Sequence, residues 1–257
     1  MFFDVKNHIL HGTEPFCSCA QDEDMAYCMA LEAYSQGCRF ILATPPADAF
    51  LNAADRGEGH AVWERFEALR QRVRESESMH GMDLGLGCEI PCSRKALKNI
   101  VDHLAKGTLP TLHGSRFVLL SFQRDVTREE LWHCLDYLDQ AGYVPVISHI
   151  QTIETLKGDV EEIRCLKGEG PRDEKYRFRA VIQLDTLSIS EPDYDAWWPE
   201  KLIRAGVVDV MATDARNTFT HPPHIREELK KARGFCTQQY WERITWKNAF
   251  QWLVLNK

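Results

Sequence analysis

No apolar run in the 257 residues approaches the roughly 20 that a membrane-spanning helix needs. Membrane insertion is therefore not expected. The opening Met1-Phe2-Phe3-Asp4 has neither a basic n-region nor a cleavable apolar segment, so the reading is a cytoplasmic protein without an export leader. Positive charge is also scarce: 31 Lys and Arg stand against 38 Asp and Glu, for a formal net charge of -7 and a pI near 5.8. That balance gives no support for nucleic-acid binding, and no nucleic-acid partner is expected. No Gly-x-Gly-x-x-Gly follows the first apolar run, which counts against a dinucleotide fold. Fixed-period repeats and low-complexity tracts are missing too. The nine cysteines are odd in number and are expected as free thiols. Cys17-x-Cys19 and Cys88-x-x-x-Cys92 are the only close pairs, and neither has the second half that a zinc site needs.

What is present is a repeated form. Phe2, Phe3 and Val5 read as a buried strand, with Asp4, Lys6 and His8 sharing one side of its continuation. Arg39–Thr44 runs into Pro45-Pro46, Asp83–Cys88 into Glu89, and Arg116–Ser121 into Phe122-Gln123-Arg124-Asp125. Tyr143–Ser148 runs into His149, Arg179–Leu184 into Asp185-Thr186, and Val207–Thr213 into Asp214-Ala215-Arg216. Those are seven candidate strands, most with a polar residue at the exit, where barrel enzymes keep their chemistry.

Helical patterns fill the intervals. Gln21–Gln36 has acidic residues in its first turn and Gly37 as a stop. Gly59–Met79, Ser93–Ala105, Asp193–Ala205, Ile225–Ala232 and Thr237–Leu255 follow, while residues 47–58 read as a loop. Thr127 with Glu130 predicts a capping box before a helix ending near Gly142. Residues 150–178 read as partly helical and then as a charged, exposed connection. Alternating strands and helices predict parallel β/α units. Seven units can close into a barrel, forming one domain over residues 1–257; an open doubly wound sheet is the alternative.

Closure would bring Lys6, His8, Glu89, His149, Asp214 and Arg216 to one rim. Converging imidazoles and carboxylates suit a divalent metal, which can polarise a phosphoryl oxygen or acidify a bound water. Other chemistry-bearing residues read more blandly. Cys88 is expected as a buried packing thiol, Trp197-Trp198 as helix packing, and Arg124 and Arg128 as loop charges. His221 and His224 flank Pro222-Pro223 in a turn.

Asp4–Gly12, Ile41–Pro46, Gly87–Ile90, Val144–His149 and Ala212–Asn217 together resemble the bacterial PHP-type (polymerase and histidinol phosphatase) protein-tyrosine phosphatases of capsule and exopolysaccharide synthesis, a CpsB/CapC-like family. The resemblance covers most of the chain. It implies a distorted (β/α)7 TIM-like barrel, a cluster of up to three metals, often manganese, and a phosphorylated protein partner such as a tyrosine kinase. Residue by residue, it makes His8, Glu89, His149 and Asp214 metal ligands. At four further ligand positions the family's residue is replaced, by Lys6, Pro46, Ser121 and Arg216, and Thr152 stands where a phosphate-gripping arginine is expected. The expectation is no metal or one divalent ion (manganese, zinc or iron) rather than a trinuclear cluster. Lys6 and Arg216 are expected to neutralise the carboxylates and to hold an anion. Catalysis is expected to be lost or weak, with a phosphate-binding or regulatory role. The alternatives are an active metal-dependent phosphoesterase on a reduced site, and a hydrolase of the wider barrel class with a non-phosphate substrate.

Overall fold

The computed structural model describes residues 1–13, 19–170, 178–190 and 196–255. β1 (Phe2–Asn7), β2 (Cys38–Ala43) and β3 (Asp83–Leu86) form one sheet. β4 (Glu89–Pro91), β5 (Phe117–Ser121), β6 (Val144–Ile147), β7 (Val181–Asp185) and β8 (Val210–Ala212) form a second. Every neighbouring pair is parallel. Single bridges join the sheets, Pro46 to Glu89 and Asn7 to Ala215. Strand thus follows strand around a distorted β/α barrel, with β8 returning to β1.

Among the described residues eight strands appear where the sequence shows seven candidates, because the third is broken. Gly85 and Gly87 are the cause. A Cβ on Gly85 would lie 2.7 Å from both His113 Nδ1 and Phe40 Cζ, and one on Gly87 would lie 2.7 Å from Leu112 Cδ2. The glycines admit the turn at Leu112–Gly114 where strand side chains would otherwise stand. β3 then pairs with β2, and after Gly87-Cys88 the chain pairs with β5 instead.

Side chains alternate in direction along the strands. Phe3, Val5, Leu42, Leu119, Val146 and Val210 pack together in the barrel interior with Leu112. Ile41, Leu84, Leu120, Ile147, Ile182 and Met211 belong to the larger layer against the helices. The C-terminal helix covers the starts of the strands. It runs from Gln238–Glu242 through π-type turns at Arg243–Lys247 and Gln251–Leu255. Ala249 and Leu253 join the interior cluster, Phe250 meets the Phe3 ring edge-on at 6.0 Å, and Trp252 stacks on Phe117 at 5.3 Å.

The outer helices include α1 (Glu23–Ser35), α2 (Ala47–Asp55), α3 (Ala61–Arg74), α4 (Leu97–Ala105) and α5 (Arg128–Gln140). They continue with α6 (Val160–Leu166), α7 (Trp197–Arg204) and α8 (Arg226–Arg233). Asp22 caps α1 by accepting from Met25 N at 2.8 Å. Three expectations are corrected. Residues 47–55 are helical, because Ala47, Phe50 and Ala53 bury one face. α3 is shorter than the charged stretch from Gly59 to Met79, which ends in a separate turn at Glu77–Met79. The capping box is only half formed: Thr127 accepts from Glu130 N, but the Glu130 carboxylate turns to Arg94 N at 3.1 Å. Cys17, most of the charged connection (171–177) and the first residues expected of α7 (193–195) lie outside the described residues.

Candidate functional site at the strand ends

The first strand delivers two cationic or imidazole groups to the barrel mouth. β1 carries a bulge, since Asp4 pairs with Ile41 and Asn7 with Ala43, setting two β1 residues opposite one of β2. The strict alternation that would align Asp4 with Lys6 and His8 is broken there. Asp4 does not join the site: its carboxylate accepts from Thr213 N at 2.9 Å, from Thr213 Oγ1, and from Asn7 Nδ2 at 2.9 Å. Burial raises its pKa to about 6, against the pull of those hydrogen bonds.

Lys6 has no solvent exposure, and its ammonium lies among the other candidates. Nζ contacts Asp214 Oδ1 and His149 Nε2 and stands 3.3 Å from Glu89 Oε1. His8 Nε2 lies 3.2 Å from Asp214 Oδ1 and 3.4 Å from Glu89 Oε2. His149 Nε2 is 3.4 Å from Glu89 Oε1. Arg216 reaches Asp214 Oδ2 at 3.4 Å from a partly exposed position. All six residues predicted to converge therefore do so.

The electrostatics follow from this packing. Burial alone would raise the carboxyls of Glu89 and Asp214; the Lys6 charge outweighs it and, with His8 and His149, holds both well below the usual carboxylate range. Burial likewise opposes the Lys6 ammonium, but Asp214, Glu89 and Asp185 together keep its pKa above the ordinary lysine value. On His149, burial is overcome chiefly by Asp185, which lifts the imidazole to about 9.

Asp185 was legible only as a strand exit, without a role in the site. It accepts from His149 Nδ1 and Gln151 Nε2, and from Gln183 Nε2 at 2.9 Å. Gln183 Oε1 in turn accepts from His149 N at 2.9 Å, and Ser148 Oγ donates to Glu89 at 3.3 Å. This second layer fixes the imidazole's orientation. His149 and Asp214 both adopt left-handed backbone, with φ of 51° and 54°. Such angles are costly for residues other than glycine and cluster where a structure holds side chains for a task.

The replaced positions are otherwise occupied. Pro46 precedes α2 as its N-cap residue. Ser121 ends β5, where its carbonyl accepts from Cys92 N at 2.8 Å. Thr152 donates through Oγ1 to His149 O at 2.8 Å. The other candidates are accounted for locally, with one correction: Arg128 is not a loop charge but opens α5. Arg124 pairs with Glu154, and Arg128 with Asp159. Trp198 is core while Trp197 is half exposed, and His224 pairs with Glu32. The Cys88 thiol is buried against Pro110 O, and burial pushes its pKa up. Among the described residues, Cys28, Cys38, Cys88, Cys92, Cys134 and Cys236 are free thiols.

Residues 2–254 match the family model for capsular polysaccharide synthesis, CpsB/CapC. The chain belongs to this family. It is 23% identical over 236 residues to tyrosine-protein phosphatase CpsB of Streptococcus pneumoniae, covering 87% of this chain and 86% of that one. It is 26% identical over 231 residues to tyrosine-protein phosphatase YwqE of Bacillus subtilis, covering 88% and 82%. Among solved structures, the crystal structures of YwqE and CpsB, described as unique metal-dependent tyrosine phosphatases, superpose with a TM-score of 0.77 at 23% identity over 99% of this chain and 95% of that one. The lactonase Lmo2620 of Listeria monocytogenes gives 0.57 at 9% identity, over 100% and 95%. Both structural matches carry the barrel fold.

YwqE and CpsB are described as metal-dependent, and the donor set of this chain can be compared with that requirement. Among the described residues no group of three His, Cys, Asp or Glu side chains is arranged to hold a metal ion. The oxygens of Glu89 and Asp214 and the ring of His149 converge instead on the Lys6 ammonium. An ammonium donates hydrogens and offers no lone pair. It also sets a fixed positive charge where a divalent ion would have to enter. As they stand, these residues do not fit the metal.

Proposed function

We propose that this protein is a CpsB/CapC-family relative of the metal-dependent tyrosine phosphatases in which catalysis is lost or weak and recognition of a phosphorylated protein, such as a tyrosine kinase, is kept. We read residues 1–257 as one barrel domain and its location as cytoplasmic; no helix of the described residues is long and apolar enough to cross a membrane. The observation that carries the reading is the placement of Lys6 Nζ among Glu89, Asp214 and His149. Hydrolysis of a phosphate ester at neutral pH needs an activated water and a charge clamp on the phosphoryl oxygens. Here the carboxylates that would organise such a centre are already neutralised by a side chain. Lys6 is also fully buried, so anion binding at this mouth falls to Arg216, which retains partial exposure.

The test is turnover of a phosphotyrosine peptide in manganese, measured beside binding of the same peptide. Turnover far below about 1 per second, an ordinary enzyme rate, with binding retained, is the expected result. Hydrolysis at that rate, abolished by Glu89→Ala, overturns the reading in favour of an active phosphoesterase on His8, Glu89, His149 and Asp214. The convergence of those four side chains is what supports that second reading.

A further inference from the structure

A second basic site lies outside the strand-end cluster. The loop after β1 and the facing turns of α2 and α3 enclose a cleft of about 230 Å³. Its walls are small and apolar at Ala49 and Ala53, and it is bordered by Gly12 and Thr13 and by the guanidinium side chains of Arg56 and Arg65. No carboxylate lines it among the described residues.

The two arginines are held differently. Arg65 donates from Nη1 to Gly12 O at 3.0 Å, and no carboxylate pairs with it among the described residues. Gly12 makes this approach work: its φ is +65°, and a Cβ there would lie 3.3 Å from Arg65 Nη1. Arg56 pairs with Glu58 at 3.0 Å, but both side chains are more than half exposed, so the pair is weak and replaceable. His11, one residue before Gly12, has a buried Nδ1 with no hydrogen-bond partner among the described residues. Burial and then the Arg65 charge lower its pKa, against the pull of Glu23 and Asp22, which raise it.

From this geometry we infer that the cleft between the β1 loop, α2 and α3 binds a phosphorylated aromatic side chain. Guanidinium groups pair with phosphate through two parallel hydrogen bonds and stack on flat rings. The cleft is smaller than the roughly 300 to 1,000 Å³ of drug-sized pockets, which suits one side chain rather than a nucleotide. Its alanine walls leave room for a ring, and the arginines that border it supply positive charge. The inference deepens the phosphoprotein reading above and rests on it for the identity of the natural ligand.

Phenyl phosphate, phenol and inorganic phosphate are the probes, with methyl NMR of Ala49 and Ala53 as the readout. Phenyl phosphate is expected to shift both methyls, and phenol and inorganic phosphate to do so far more weakly. Arg56→Gln with Arg65→Gln should weaken phenyl phosphate by about tenfold or more. Ala49→Leu should weaken it by filling the cleft, with the charges left in place. Equal shifts with inorganic phosphate, unmoved methyls, or loss in Arg216→Gln but not in the double arginine variant would each overturn the inference. A phosphotyrosine peptide separates the two readings. If phenyl phosphate binds in the cleft and no phosphopeptide binds anywhere, the cleft stands and the phosphoprotein reading falls. If the peptide binds and its affinity ignores Arg56, Arg65 and Ala49, the cleft falls alone.

Discussion

Lys6 Nζ stands 3.3 Å from Glu89 Oε1, one group with no exposure and the other nearly enclosed. The two residues belong to different sheets, so this pair and the Lys6–Asp214 contact tie β1 to β4 and to the exit of β8. The side chain that neutralises these carboxylates is thus also a crosslink of the barrel mouth.

Lys6→Met should therefore cost stability, by about 3 kcal/mol or more, because breaking a buried pair strands its carboxylates. Urea unfolding in the presence of chelator gives the number. Millimolar manganese should restore part of the loss in the variant and none in the parent, whose melting should ignore chelators altogether. A parent protein that melts earlier in chelator would contradict this account.

Asp4 predicts a pH dependence of opposite sign to the usual carboxylate. Its folded pKa is raised from 3.8 to about 6, so the folded state holds the proton more tightly. That stabilisation is complete below the unfolded pKa near 4 and is lost as pH rises through about 6. Relative to Asp4→Asn, the parent should lose about 2 kcal/mol between pH 4 and pH 7. Paired unfolding curves across that range check it, and a difference that does not vary with pH would refute it.

His149 titrates high because Asp185 faces it. With the folded pKa raised from 6.5 to about 9, its contribution is complete below about 6.5 and fades as pH climbs through 9. Asp185→Asn should bring the His149 midpoint down, seen by histidine NMR, and should flatten the alkaline loss of stability.

Phe50 tests the helix that sequence reading took for a loop. The ring is 2% exposed on the inner face of α2. Phe50→Ala should destabilise by about 3 to 5 kcal/mol; a loop side chain would cost far less.

The barrel was legible because its strands are short apolar runs and its helices have period and end signals, as at Gly37 and Thr127. α2 was not, since Asn52, Asp55 and Gly57 have the composition of a turn and the helix is held by burial of Ala47, Phe50 and Ala53. The convergence of Lys6, His8, Glu89, His149 and Asp214 was legible from their places at strand ends. The separation of Asp4 from Lys6 and His8 was not legible, because a bulge leaves no mark in residue types. The role of Asp185 depends on Gln151 and Gln183, amides whose pairing is decided by geometry across strands. The left-handed backbone at His149 and Asp214 had no signal either, as neither residue is glycine.

The packing of Ala249 and Leu253 among Phe3, Val5 and Val210 has a consequence for biosynthesis. Strands emerge from a ribosome in order, yet β1 closes against the exit of β8 and the interior is sealed by residues near position 250. No early segment can complete its core while the rest is still being made. The nascent barrel must wait with apolar strand faces uncovered, and slow elongation between β8 and Leu253 would lengthen the interval in which chaperones are needed.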